Sequence, residues 1–310
     1  MSARPRLVPV LSAAALVLAL GACSSASADD AAGGSASGDA SVCPDGRIRM
    51  GVEPFEDPAK LEPAFRVLGE ALGEKLGCPV EVSIVEDYSA GVLAMENGEL
   101  DVAVFGPLGY VFAERRADAQ AVASFGLADG TLSSYTAGLW VPADSPIESV
   151  EDLAGHTLAL GSTGSTSGDA LPRFAIREAG RAEEDTDITY AGGHREALPA
   201  LTNGTVDVAQ INSQTQATAE REGTLDTSRF RQIWTSEPIP NDPVTVAGAL
   251  GEEFRDAVQD ALLSLDTEHV EQIGQYLDVD PAGPLVEVDK STYQPLFDLA
   301  DTLGLTEDDA

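Results

Sequence analysis

From residue 47 to about residue 250 the chain alternates short apolar runs with amphipathic stretches, and few architectures accept that rhythm. RIRMGV (47–52) reads as a buried strand. AKLEPAFRVLGEALGEKLG (59–77) reads as a helix, because Leu61, Phe65, Leu68, Leu72 and Leu76 recur at helical spacing. VEVSIVED (80–87) is a strand, SAGVLAMENGEL a short helix, DVAVFG (101–106) a strand, and PLGYVFAERRA a helix with Pro107 suited to its first turn. AQAVASFG and SSYTAGLWVPA follow as strands. A second set then runs through SVEDLAGHTLALG, DITYAGG, HREALPALTNGTV, DVAQIN, QTQATAEREG, FRQIWTSE and VTVAGAL, with two or three helices expected beyond it. Repeated strand–helix–strand units imply α/β architecture with mostly parallel sheets.

Two segments share a pattern, NGELDVAVFG (97–106) and NGTVDVAQIN (203–212): helix end, Asn-Gly turn, then an Asp-Val-Ala strand. They are either two similar helix-to-strand loops or the equivalent parts of two similar lobes. In the second case the chain crosses between lobes near 136–140 and 237–243. A ligand would then bind in the cleft, beyond the carboxyl ends of the strands.

The N-terminus reads as an export signal. Arg4 and Arg6 precede an apolar run from Leu7 to Leu20, too short to span a bilayer comfortably, and small residues follow. Leu20-Gly21-Ala22-Cys23 resembles the lipobox of bacterial lipoproteins, which implies a signal over 1–22 and a lipid on Cys23. The polar stretch after it reads as a flexible tether, bringing the anchored segment to 23–45. Outside the cytoplasm the remaining pair, Cys43 and Cys78, is expected to form a disulfide, since each precedes one of two strands that would lie side by side.

With 310 residues there is room for one large or two medium domains. The formal net charge of −34, from 52 acidic and 18 basic residues, argues against nucleic acid as a partner. An anionic ligand would have to be attracted locally, against the field of the whole chain.

GSTGSTSGDALPRFAIREAG (161–180) concentrates the chemistry. It is no P-loop, because Gly164 is followed by Ser165 and Gly168 by Asp169 where a lysine is needed. It is no nucleophile elbow either, since Gly164-Ser165-Thr166-Ser167-Gly168 places threonine at the centre. A triad of Ser167, His194 and Asp207 or Asp242 can be drawn, but serines are many. His156, His194 and His269 do not stand at metal-ligand spacing, so no metal or other cofactor is expected. A helix start with several hydroxyls and glycines can bind an anion through unpaired N–H groups, or it can simply be capped.

The same stretch resembles the ligand loop of the phosphate, phosphite and phosphonate-binding proteins of ABC importers. EDYSAGVLAMENGELDVAVFGP, SSYTAGLWVPADSPIESVEDLAGHTLALG, GGHREALPALTNGTVDVA and TSEPIPNDPVTV resemble further segments of that family in consistent order, from about 47 to 265. The resemblance implies an α/β, two-lobed periplasmic-binding-protein type II fold with two hinge crossings, each lobe a mostly parallel sheet flanked by helices. Lobe 1 is expected over 46–138 plus 242–310 and lobe 2 over 139–241. The resemblance also implies that Ser165, Thr166 and Ser167 hold a phosphorus oxyanion. Tyr88 and Tyr135 would add hydroxyls and ring walls, His194 a donor from the second lobe, and Asp242 a carboxyl facing the cleft. Family members that bind an aminoalkylphosphonate place an acid near Gln214, so the amide here favours an uncharged phosphonate tail, phosphite or phosphate. Implied besides are no enzymatic activity, a monomer tethered outside the cell membrane by its lipid, and permease and ATPase partners. The alternatives are a binding protein for a sulfonate or other small anion, a secreted α/β hydrolase, and a sensor.

Overall fold

A computed structural model describes residues 42–306. The expected signal, Cys23 and most of the tether lie outside the described residues.

The first strand, β1 (Ile48–Val52), is built from residues whose side chains vanish into the core: Ile48, Met50 and Val52 are fully buried. Helix α1 (Pro58–Leu76) follows, begun by Asp57, whose carboxylate accepts from the Ala59 N–H, and by Pro58 in its first turn. It ends at Gly77, whose φ of 64° suits glycine. Leu61, Phe65, Leu68 and Leu72 lie buried along one face, each burial contributing roughly 1.5–3 kcal/mol. The helix returns the chain to β2 (Val80–Ile84), parallel to β1. Helix α2 (Tyr88–Glu96) then leads to β3 (Val102–Val104) on the other side of β1, also parallel. Helix α3 (Pro107–Ala117) and β4 (Gln120–Leu127) complete this part.

A short strand β5 (Ser134–Tyr135) precedes the second sheet, formed by β6 (Gly138–Pro142), β7 (Thr157–Leu160), β8 (Asp187–Tyr190), β9 (Val208–Gln210) and β10 (Phe230–Thr235) in the order β10-β6-β9-β7-β8. Its helices are α4 (Leu171–Glu178), α5 (His194–Thr202) and α6 (Ser213–Arg221). The chain leaves through β11 (Ile239–Pro240), which pairs with β5 in a two-stranded antiparallel ribbon. It then enters β12 (Val244–Val246), helices α7 (Gly251–Leu263) and α8 (Glu271–Tyr276), strand β13 (Ala282–Glu287) and helix α9 (Gln294–Leu303). The first sheet has the order β13-β4-β12-β3-β1-β2.

Two expectations need correction. The sheets are mixed rather than mostly parallel: β12 runs against both β3 and β4, β13 against β4, and β6 against β9 and β10. The reason is the double crossing, since a strand that re-enters a sheet directly from the other one arrives without a helix to reverse it. β13 falls where the sequence suggests only helices, because Gly283 and Pro284 interrupt its pattern. Proline is tolerated there because, among the described residues, β13 pairs only with β4, at the sheet's edge.

The tether is also shorter than expected. Cys43 is joined to Cys78, and Pro44–Gly46 form a turn, so the chain is fixed two residues before residue 45. The bridge joins segments that precede Ile48 and Val80, paired residues of β1 and β2. The repeated Asp-Val-Ala motif fills equivalent joints in the two sheets. Asp101, before β3, accepts from the Arg49 N–H at 2.7 Å and from its guanidinium at 2.9 and 2.6 Å. Asp207, before β9, accepts from the Thr157 N–H and hydroxyl at 3.0 Å each. Each carboxylate pins the start of the neighbouring parallel strand, at the end of the sheet away from the site.

Candidate ligand-binding site

Strand β7 ends at Leu160, and the glycine-rich loop after it turns into a π-type turn, Thr166–Ala170, that runs on into α4. Ser165 caps this turn: its hydroxyl accepts from the Gly168 N–H at 3.1 Å. Asp169 clamps the loop from below. Its buried carboxylate accepts from the Gly164 N–H at 3.2 Å and from the Tyr190 phenol at 2.7 Å. The loop therefore presents Ser165, Thr166 and Ser167 at 2, 2 and 1% exposure, polar groups that must find partners in the interior.

The partners come from both sheets' surroundings. The Leu108 N–H, in the first turn of α3, donates to the Thr166 hydroxyl at 2.8 Å, so two helix starts meet at one threonine. Ser167 accepts from the Asn212 amide at 3.1 Å. Tyr88, at the start of α2, lies beside the Ser165 hydroxyl, and Tyr135 beside Ser167 and Thr166. Burial, and then the nearby Glu53 carboxyl, pushes the Tyr88 phenol up, and burial does the same to Tyr135. Both phenols are thus neutral donors.

His194 is the first residue of α5, with Nε2 3.1 Å from the Ser165 hydroxyl and Nδ1 3.1 Å from Gln210 Oε1. Because the Gln210 carbonyl faces Nδ1, that nitrogen carries the proton and Nε2 accepts from Ser165. Burial lowers the imidazole to about 4, so it is uncharged at neutral pH. His194 thus holds Ser165 in place. It does not cap α5, whose cap position is Gly193 with no side-chain bond.

Asp242 stands just after the second crossing, 5% exposed, and burial pushes its carboxyl up to about 7. Its neighbour Asn241 fixes the backbone there. The Asn241 amide donates to the Ser133 hydroxyl at 2.7 Å, and its carbonyl accepts from the Tyr293 phenol at 2.7 Å and from Ser124 at 3.1 Å. Gln214 belongs to this node: its amide donates to Asn241 Oδ1 at 2.7 Å and to the Leu277 carbonyl at 3.3 Å.

All eight residues singled out from sequence are buried. Tyr88, Tyr135, His194 and Asp242 gather around the Ser165–Ser167 turn, whereas Gln214 is joined to it only through Asn241, the neighbour of Asp242. The hydrolase constellation does not assemble. His194 meets Ser165 rather than Ser167, and Asp207 meets His156 and Thr157 at the far end of the sheet. Among the described residues, no group of three or more His, Cys, Asp or Glu side chains is placed to hold a metal ion.

A family model described as the periplasmic substrate-binding protein of ABC phosphonate transporters matches residues 50–293. The chain belongs to this family. Among curated proteins the chain is similar to the phosphonates-binding periplasmic protein of Escherichia coli K12, 28% identical over 222 residues. That match spans 70% of this chain and 65% of the E. coli protein. The phosphate-import protein PhnD of Mycolicibacterium smegmatis is 26% identical over 223 residues, 68% of this chain and 70% of its own length. The solved structure of PhnD1 from Prochlorococcus marinus, in complex with methylphosphonate, superposes with a TM-score of 0.72 at 20% identity. It covers 84% of this chain and 98% of that one, so the two-lobed type II fold of the family is shared.

Four site residues escape a reading of the sequence: Glu53, Asp169, Gln210 and Asn212. Three of them carry a signal. Glu53 directly follows an apolar strand, and Gln210 and Asn212 close another, the ends at which α/β ligands bind. Asp169 carries none, because only the fold brings Tyr190 to it.

Proposed function

We propose that this protein captures a small phosphorus oxyanion for an ABC importer. The Thr166–Leu108 bond is the observation that carries the proposal. It draws the start of α3 and the turn before α4 onto one point, where two sets of helix N–H groups and their partial positive charge face each other. Neutral donors of this kind suit an anion in a chain of charge −34. Tyr88, Tyr135, Ser165, Thr166 and Ser167 serve as the oxyanion cradle, with His194 behind them as a positioning group. The lobes divide at the β5–β11 ribbon, 46–138 with 242–310 against 139–241, and close by a hinge at that ribbon.

Among phosphorus ligands we favour phosphite, phosphate or a phosphonate with an uncharged tail. Gln214 carries no charge for an ammonium, and its N–H groups are spent on Asn241 and Leu277. Asp242 accepts from a P–OH, which sulfate lacks at neutral pH. A lipid on Cys23 holds the domain outside the cell membrane, where it meets a permease and ATPase.

Calorimetric titration of the domain from Cys43 onward, with phosphate, phosphite, methylphosphonate, 2-aminoethylphosphonate and sulfate, tests this reading. Tight binding of one phosphorus ligand that Ser165→Ala weakens is expected. Preference for sulfate would remove the role given to Asp242, and a panel without any binder would overturn the reading.

A further inference from the structure

Glu53 is the least expected group at this locus. It follows β1 directly and is 1% exposed. One carboxyl oxygen, Oε2, accepts from the Gly106 N–H at 2.6 Å, at the cap position of α3. The other, Oε1, is fully buried and has no hydrogen-bond partner among the described residues. Space for it is provided by glycine: a Cβ at Gly109 would stand 2.3 Å from Oε1, and one at Gly106 3.2 Å from Oε2. The Gly106 position is also walled by the Tyr88 ring and the Thr166 hydroxyl, at 3.5 and 3.9 Å from where its Cβ would be. Oε2 therefore borders the cradle, with Oε1 beside it on the Gly109 side.

A helix-capping carboxylate would account for Oε2 and leave Oε1 stranded without a partner. The charges around Glu53 decide its form. Facing it are the Tyr88 phenol from α2, the Thr166 hydroxyl from the loop after β7, the N–H groups of α3, and the Asp242 carboxyl from the second crossing. Among the described residues no lysine, arginine or histidine acts on Glu53 or on Asp242. Burial first, and Asp242 besides, push the Glu53 carboxyl well above its ordinary range. Two buried carboxyls without a cation do not both ionise, and a bound anion makes ionisation harder still.

We propose that Glu53 is a ligand-binding residue that meets the phosphorus oxyanion as a neutral acid, its Oε1–H donating to one phosphoryl oxygen. The assignment rests on the function proposed above and extends it. The site recognises its anion with a proton held by the protein as well as with one accepted by Asp242, so it binds in a protonated form that alkaline solution removes.

The test is titration of wild type, Glu53→Gln and Glu53→Leu with phosphite and with methylphosphonate from pH 6 to pH 9. At pH 6 the leucine variant, lacking the donor, should bind about ten- to a hundredfold more weakly than wild type. The glutamine variant, whose amide keeps a donor that cannot ionise, should recover most of that loss. As the pH rises, wild type should weaken more steeply than Glu53→Gln, because ligand and Asp242 titrations are common to both. Gly109→Ala provides a second route, since its methyl displaces the Glu53 carboxyl without touching the residue. It should weaken both ligands. Parallel pH profiles for wild type and Glu53→Gln, or unchanged affinity in Gly109→Ala, would overturn the assignment while leaving the wild-type binding intact. Binding by wild type of 2-aminoethylphosphonate alone, lost in Glu53→Gln, would overturn it in favour of an ionised Glu53 paired with an ammonium. Failure of wild type to bind any of the panel would overturn the underlying function itself.

Discussion

Replacing Asp242 by asparagine should stabilise the folded protein and impair its selectivity, and pH separates the two effects. The side chain is 5% exposed, and burial moves its carboxyl from 3.8 up to about 7. A raised acid holds its proton more tightly in the folded chain than in the unfolded one. Below the unfolded value both states are protonated and burial costs nothing. As the pH rises toward about 7 the unfolded state sheds its proton first, so folding stability falls. Above that both are ionised and the whole penalty is in place. Across this interval it amounts to about 4 kcal/mol, from roughly 1.4 kcal/mol per pH unit. Asparagine cannot ionise and escapes it. Its amide has its own N–H groups to place, a cost that does not change with pH, so the difference between two pH values is the clean quantity. Urea denaturation of wild type and Asp242→Asn at about pH 4 and pH 8, without ligand, should show the variant gaining about 4 kcal/mol relative to wild type at the higher pH. Equal differences at both pH values would refute the reasoning, because they would mean that a donor or cation compensates the ionised carboxyl. In titrations the same variant should bind sulfate and phosphite more evenly than wild type does.

Other perturbations address the junction and the mouth of the cleft. Thr166→Val keeps the shape but leaves the buried Leu108 N–H without its acceptor, which should cost about 1–3 kcal/mol of phosphite binding, with Thr166→Ser recovering most of it in calorimetry. Arg195 Nη1 lies 3.0 Å from both Glu56 Oε1 and Asp57 Oδ2, joining α5 to the segment before α1. With its side chain 38% exposed the clasp is weak, so Arg195→Ala should lower affinity only about two- to fivefold and flatten its dependence on salt. An affinity loss that salt does not affect would show that Arg195 acts in another way.

Most of the element order is legible because it rests on local chemistry. α3 runs over the residues PLGYVFAERRA that its proline start and apolar spacing single out, and α1 ends at the glycine its sequence provides. What local chemistry does not carry is direction and partnership. β12 and β6 read as ordinary strands, and nothing within three or five residues says that they run against their neighbours. β13 is weak as a strand in its sequence and is held as one by its antiparallel pairing with β4. The site divides in the same way. Ser165, Thr166 and Ser167 announce themselves as a run of hydroxyls at a helix start. The bond between His194 and Ser165 does not, because it depends on where α5 starts relative to β7, a matter of tertiary packing. Glu53 stands at the end of an apolar strand, but that one signal is weak in a chain with 52 acidic residues.

The Cys43–Cys78 bridge bears on how such a domain can be held. Its Cα atoms are 5.5 Å apart, just ahead of β1 and β2, and Glu53 lies at the opposite end of β1. A five-residue strand separates them, a span of about 17 Å. Val42, next to the bridge, therefore lies at the end of the first sheet away from the candidate site. A pull applied at Val42 would be delivered to two covalently joined strands at once. β1 cannot be peeled from β2 one hydrogen bond at a time, because the first link to give would have to be the sulfur–sulfur bond. Mechanical load at one pole is thus kept from reaching the geometry of capture at the other.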